Sequence, residues 1–377
     1  MAKGEAMCNK TIVAGAAGII HARAHLQFTK QAIQSGKLNI GYIGGSITAF
    51  EDYRSWTEPV TNWLMNRFPD CRLSVCNSAI GATKSEFALL RVEDDLIKKE
   101  CSLVFIEFVV NDAADPTRWR MRTREGLIRK LYGKCDIVLV YTFAQEMYKD
   151  MTNGTVPPSI AEFEELAEHY NLPSVWSGLS ALRENMQGLL RWEEWLPDGT
   201  HPTERGSISY AKPIITYLEE EFSTRYPKHD LNHIAPMYKD NLEYAKQIRF
   251  EDLDWKSPWS LRTNRSNTGS VNPGTYLYTS AIQATLEVPF EGTGLLLIVM
   301  TGKYTGEFDY RVDDDAWQSI RPLNSRDSWM GKADWYRCIS LADDLPRGQH
   351  TLQLRTKHSE CAEICGTRIE INLIACW

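Results

Sequence analysis

No stretch of the 377 residues stays apolar for long enough to span a bilayer. Positive charge is not in excess: 42 Lys and Arg stand against 49 Asp and Glu, a formal charge of −7, so no basic face for nucleic acid is expected. A phosphate loop, a complete Gly-x-Gly-x-x-Gly, a His-Glu-x-x-His and a Gly-x-Ser-x-Gly elbow are all missing. Nucleotide cofactors and catalytic metals are therefore not indicated. There is no internal repeat and no low-complexity tract. The nine cysteines cannot all pair, and the close pair Cys361 and Cys365 lacks both the two-residue gap of a redox motif and a second ligand pair for zinc. Cys76, Cys101 and Cys135 fall in or beside apolar strands, where a thiol acts as a small apolar group.

Thr11 to Ile20 is small and apolar, and Ala22-Arg23-Ala24 imitates a cleavage site. Glu5, two glycines in the run and the want of any leucine or phenylalanine there argue against a signal peptide. Reduced thiols in a cytoplasmic protein are the expectation, with secretion as the alternative. Composition is otherwise that of an ordinary soluble protein, and the length suggests two domains.

The chemistry gathers on a few short segments. Leu38 to Ile43 reads as a buried strand, and it runs into Gly44-Gly45-Ser46-Ile47-Thr48 before the helical stripe of Trp56, Val60, Trp63, Leu64 and Phe68. A glycine turn ending a strand can present the Ser46 hydroxyl to the crevice beyond the sheet. A hydroxyl needs a base, and Pro197-Asp198-Gly199-Thr200-His201-Pro202 offers an imidazole with an acid three residues before it. Between them, a second strand ends in Cys76-Asn77-Ser78-Ala79-Ile80-Gly81 and a third in Asn111-Asp112. A glycine N–H and an asparagine amide are suitable donors to an oxyanion.

At these residues the chain resembles the SGNH, or GDSL, hydrolases over roughly residues 36 to 220. The resemblance implies Ser46 as nucleophile, His201 as base and Asp198 as its orienting acid. It places Ser46, Gly81 and Asn111 at the oxyanion hole. Two departures stand out: the usual Gly-Asp-Ser is Gly-Gly-Ser, and the glycine two before Asn111 is Val109. Gly-Gly-Ser-Ile-Thr and the Ser85-Glu86-Phe87 that follows Gly81 look like bacterial carbohydrate esterases.

Further strands are expected at 135–141 and 174–176, with helices at 21–36, 84–99, from Pro116, at 159–169 behind a Ser159…Glu162 capping box, and from His201 to about 222. Alternating strands and helices mean an α/β fold, a flavodoxin-like parallel sheet with helices on both faces. The helix after Pro116 is rich in arginine, a pattern of solvated faces. Arg118, Trp119 and Trp195 are candidates for the substrate pocket, with core packing the alternative for Trp195. His169, His229 and His233 receive no role.

From about Phe250 the period changes to two: Ile282, Ala284, Leu286 and Val288 alternate with polar residues, as do Phe308, Tyr310, Val312 and Ile369, Ile371, Leu373. This predicts a C-terminal antiparallel β-sandwich, jelly-roll-like. The domains are set at 1–225 for the hydrolase part, 226–249 for a polar connection and 250–377 for the sandwich. Trp255, Trp317, Trp329 and Trp335 in that part are assigned to packing ahead of sugar stacking.

The expected activity is metal-independent hydrolysis of an ester, an O-acetyl group on a carbohydrate, through an acyl-enzyme on Ser46. Acyl transfer to a sugar from the same site and sugar binding without catalysis are the rivals. The expected partner is a small-molecule or oligosaccharide ester, not nucleic acid or membrane, and self-association is left open.

Overall fold

The computed structural model describes residues 18–49, 54–224, 234–264, 274–302, 304–321, 335–358 and 366–377. The Thr11 leader, Cys8, Cys361, Cys365, His229, His233 and Trp329 lie wholly or mainly outside these. Contacts divide the chain into two units, the first closing at Glu243 and the second opening at Tyr244.

In the first unit, β2 (Lys37–Gly44) is buried from Leu38 onward because its apolar residues meet helices on both sides of the sheet. It pairs in parallel with β3 (Arg72–Asn77) on one side and β4 (Leu103–Glu107) on the other. β5 (Asp136–Val140) and β6 (Ser174–Val175) continue the parallel run. The edge is β1 (Ile20–His21), antiparallel to β6. The order β1-β6-β5-β4-β2-β3 reverses direction between β2 and β4. Right-handed crossovers on either side of that reversal put helices on opposite faces, and the crevice between them opens at the carboxyl ends of the strands.

The helices are α1 (Gln27–Gln34), α2 (Ser46–Ala49), α3 (Thr57–Arg67), α4 (Ser85–Val92), α5 (Thr117–Leu131), α6 (Tyr148–Thr152), α7 (Pro158–His169), α8 (Ser177–Met186), α9 (Trp192–Trp195) and α10 (Glu204–Ser223). Helix α5 packs with α4 and α7, and α10 with α3 and α8. None of the described helices is long and apolar enough to cross a membrane.

Three local expectations are corrected. Strand β1 lies where a helix was expected from residue 21. The capping box does not form: Ser159 Oγ donates to Val109 O at 2.7 Å and accepts from Arg124, while Glu162 pairs with Arg120. Helix α5 is not a solvated face either. Arg120, Arg122 and Arg124 are buried, and Arg124, fully enclosed, meets the equally enclosed Asp112 at 2.8 Å. Composition reported the charges of α5, but its partners Asp112, Glu162 and Asp240 lie on other segments that only the fold brings to it.

The described part of the expected connection, 234–249, is engaged as well. Glu125 accepts the Tyr238 N–H at 2.8 Å, Arg129 donates to Ile234 O at 3.1 Å, and Lys246–Ile248 forms β7.

The second unit holds two antiparallel sheets. One has the order β10 (Thr285–Gly292), β15 (Gly348–Lys357), β12 (Glu307–Val312), β13 (Gln318–Ile320). The other runs β14 (Trp335–Ala342), β11 (Leu295–Thr301), β16 (Ile369–Cys376), β9 (Gly274–Thr279), β8 (Ser260–Asn264), with β7 also on β16. Leu286, Val288 and Phe290 share a core with Leu297, Leu352, Phe308 and Ile371, as the alternation requires. Ile282 departs from it: the strand begins at Thr285, Gln283 takes a positive φ, and Ile282 is exposed. Trp259 is buried, whereas Trp317 stands at the surface beside the guanidinium groups of Arg311 and Arg355. Among the described cysteines, Cys71, Cys76, Cys101, Cys135 and Cys376 form no disulfide.

Candidate active site

Ser46 opens α2 directly after β2 and Gly45. Its hydroxyl lies 2.7 Å from His201 Nε2, and His201 Nδ1 lies 2.7 Å from Asp198 Oδ2. A carboxylate can only accept, so Nδ1 carries the proton and Nε2 is free to accept from Ser46. The other Asp198 oxygen takes the backbone N–H groups of Thr200, at 2.9 Å, and His201, at 2.7 Å. Partial burial works against the Asp198 charge, but these N–H groups and the imidazole outweigh it and hold the carboxyl below the usual range.

His201 does not begin a helix as expected. Thr203 caps α10, accepting the Gly206 N–H, and His201 sits on the loop before it. What fixes the ring is the tight Asp198 turn, in which Gly199 takes φ +83° and its carbonyl accepts the Gln145 N–H at 2.8 Å.

Gly81 and Asn111 come to the same place. A Cβ built on Gly81 would lie 3.7 Å from Ser46 Cβ, and one built on Gly45 would fall 2.1 Å from Asn111 Oδ1. Gly45 is not among the glycines with positive φ. Glycine is needed there for close approach of the Asn111 amide, not for a bend. In this structure a larger side chain at 45 would occupy the place of that amide.

The candidate pocket residues fare differently. Trp195 is fully buried, 4.8 Å from Phe143 between ring centroids and edge-on to Tyr210, so it offers no wall to a substrate. Its carbonyl accepts the Thr203 N–H at 2.9 Å, which supports the His201 loop from below. Arg118 is paired with Asp240 at 2.8 Å, and Trp119 lies under the Arg122 guanidinium.

Two supporting residues escaped the sequence reading. Asn77 donates to Thr48 O at 2.9 Å and accepts the Ala79 N–H, which ties the turn of Ser46 to that of Gly81. Glu107, the last residue of β4, is fully buried and takes the hydroxyls of Thr48, at 3.0 Å, and Thr142, at 2.8 Å, together with the Gly45 N–H. Burial pushes its carboxyl up to about 7 against these hydrogen bonds. An acidic residue inside an apolar strand was the available signal.

Glu107→Gln keeps the shape but turns one acceptor into a donor that faces donors. A loss of about 1–3 kcal/mol in stability is expected by urea unfolding. A loss within error would mean that the three donors find other acceptors.

No protein-family model and no curated protein matches the chain. Solved structures do. A two-domain esterase active on acetylated mannans is 22% identical, with a TM-score of 0.78 over 95% of this chain and 96% of that one. The same esterase crystallised with mannopentaose gives 22% and 0.76 at the same coverage. The protein thus shares the fold of that two-domain structure, a parallel sheet with helices on both faces in the first unit and an antiparallel β-sandwich in the second.

Proposed function

We propose that the protein is a serine esterase that removes O-acetyl groups from a carbohydrate. The observation that carries this reading is the unbroken hydrogen-bonded line from Ser46 Oγ through His201 to Asp198. In the proposed reaction Ser46 attacks the ester carbonyl as Nε2 takes its proton, and Asp198 steadies the imidazolium. The N–H groups of Ser46 and Gly81 and the Asn111 amide receive the oxyanion. Protonated His201 gives its proton to the departing sugar oxygen. Water, activated by the same ring, then releases acetate from Ser46. These steps consume only the ester and one water.

The sugar is the finer part of the proposal. It draws on the shared fold with an esterase active on acetylated mannans, so acetylated manno-oligosaccharides head the substrate panel. A serine-directed phosphonate should label Ser46, shown by peptide mass mapping, and should block acetate release from that panel. Label on another serine would move the site. Labelled Ser46 without acetate release from any sugar, with or without an acceptor, would leave an esterase of another substrate class.

A further inference from the structure

Beside Gly81 and Asn111 three carboxyl groups converge: Glu86 in the first turn of α4, and Asp112 and Asp115 on the loop that carries Asn111. One oxygen from each lies within 4.8 Å of the others. Asp112 is paired with Arg124 and accepts the Ser85 N–H at 3.0 Å. Asp115 is paired with the Lys84 ammonium. Glu86 is only 5% exposed, and its Oε2 has no hydrogen-bond partner among the described residues. Two cations therefore answer two carboxylates, and among the described residues the third has no cation paired with it and no donor beyond its own backbone N–H. One proton closes that balance, whereas a divalent metal would overshoot it by one charge.

We propose that Glu86 is a positioning residue held as a neutral acid, and that its un-ionised state keeps the start of α4, with the Gly81 turn before it, seated on the Asn111 loop. The inference rests on the esterase reading for what those two loops do. The groups facing Glu86 are Lys84 on its own element, Asp112 and Asp115 on the loop and, behind Asp112, Arg124 of α5. Burial, reinforced by the charges of Asp112 and Asp115 and only partly offset by Lys84, pushes its carboxyl up to about 8. Above that pH the proton passes to solvent and a third negative charge appears in the joint. The two loops are then pressed apart, and with them two of the three oxyanion donors.

Glu86→Gln keeps the size and stays neutral, which makes it the discriminating variant. The parent's kcat should fall above about pH 8, at least threefold by pH 9, with KM little changed, while the Gln variant keeps its neutral-pH rate. Stability gives a second readout that needs no substrate. The folded-state value is raised above the unfolded one, so the contribution of Glu86 is whole below about pH 4.5 and is lost by about pH 8. Tm of the parent minus that of the Gln variant should accordingly fall between pH 5 and pH 8 and stay level above. An identical alkaline limb in both proteins would overturn the proposal, as would a Tm difference that ignores pH. Calcium that raises the Tm of the chelator-treated parent, but not of the variant, would also overturn it by giving the place to a metal ion. Should the protein prove inactive on every ester, the Tm series still decides whether Glu86 is neutral.

Discussion

Ser46→Ala is expected to lower kcat by about six orders of magnitude while leaving KM and the unfolding temperature close to those of the parent. The hydroxyl is the only atom lost, and it is the one that His201 Nε2 reaches at 2.7 Å. His201→Ala should cost about as much, and the double variant little more, because nucleophile and base act as one unit. The remaining rate, about 10³ to 10⁴ over water, would come from the oxyanion donors and from binding. Initial rates on acetylated manno-oligosaccharides, with circular dichroism to check folding, provide the measurement. A drop of less than about tenfold would take the nucleophile role from Ser46, because loss of a nucleophile costs about six orders of magnitude.

Gly45→Ala should be the next most damaging change, although it removes nothing. The added methyl would sit 2.1 Å from Asn111 Oδ1 and 2.5 Å from its Cγ, so one of them has to move. The amide is the end of a short side chain, whereas the Gly45 backbone is pinned through its N–H to Glu107. The amide yields. Losing one oxyanion donor slows turnover by about 10² to 10³. Asn111→Ala should give a loss of the same size, and the two changes together should fall well short of additivity, since both act through one group. Fully additive losses would separate Gly45 from Asn111.

The strands and the order of the site segments were legible because they rest on local pattern: continuous apolar runs for β2, β4 and β5, and period two for Leu286 and Val288. That Ser46, His201 and Asp198 lie within hydrogen-bonding distance was legible, because a serine read as a nucleophile calls for a base and the base for an orienting acid. What escaped depends on pairings across the chain. Arg124 reads as one more surface cation until Asp112 is brought to it, and Ser159 reads as a cap until the Val109 carbonyl is beside it. Trp195 was weighed as a pocket wall because tryptophan packs as well on a sugar as on Phe143. Only the tertiary position of α9 decides between them. The start of α10 was misplaced by three residues because Pro202 is as good an opening signal as the Thr203 that caps the helix.

The enclosed Asp112–Arg124 pair has a bearing on how the fold is put together. Neither ion can leave water alone without a desolvation penalty of several kcal/mol. The loop of residues 111–116 and α5 must therefore settle together in a single event. Asn111, next in sequence to Asp112, reaches its station only then. A half-built chain with α5 undocked could already hold a serine near its histidine, yet it would lack the third hydrogen-bond donor.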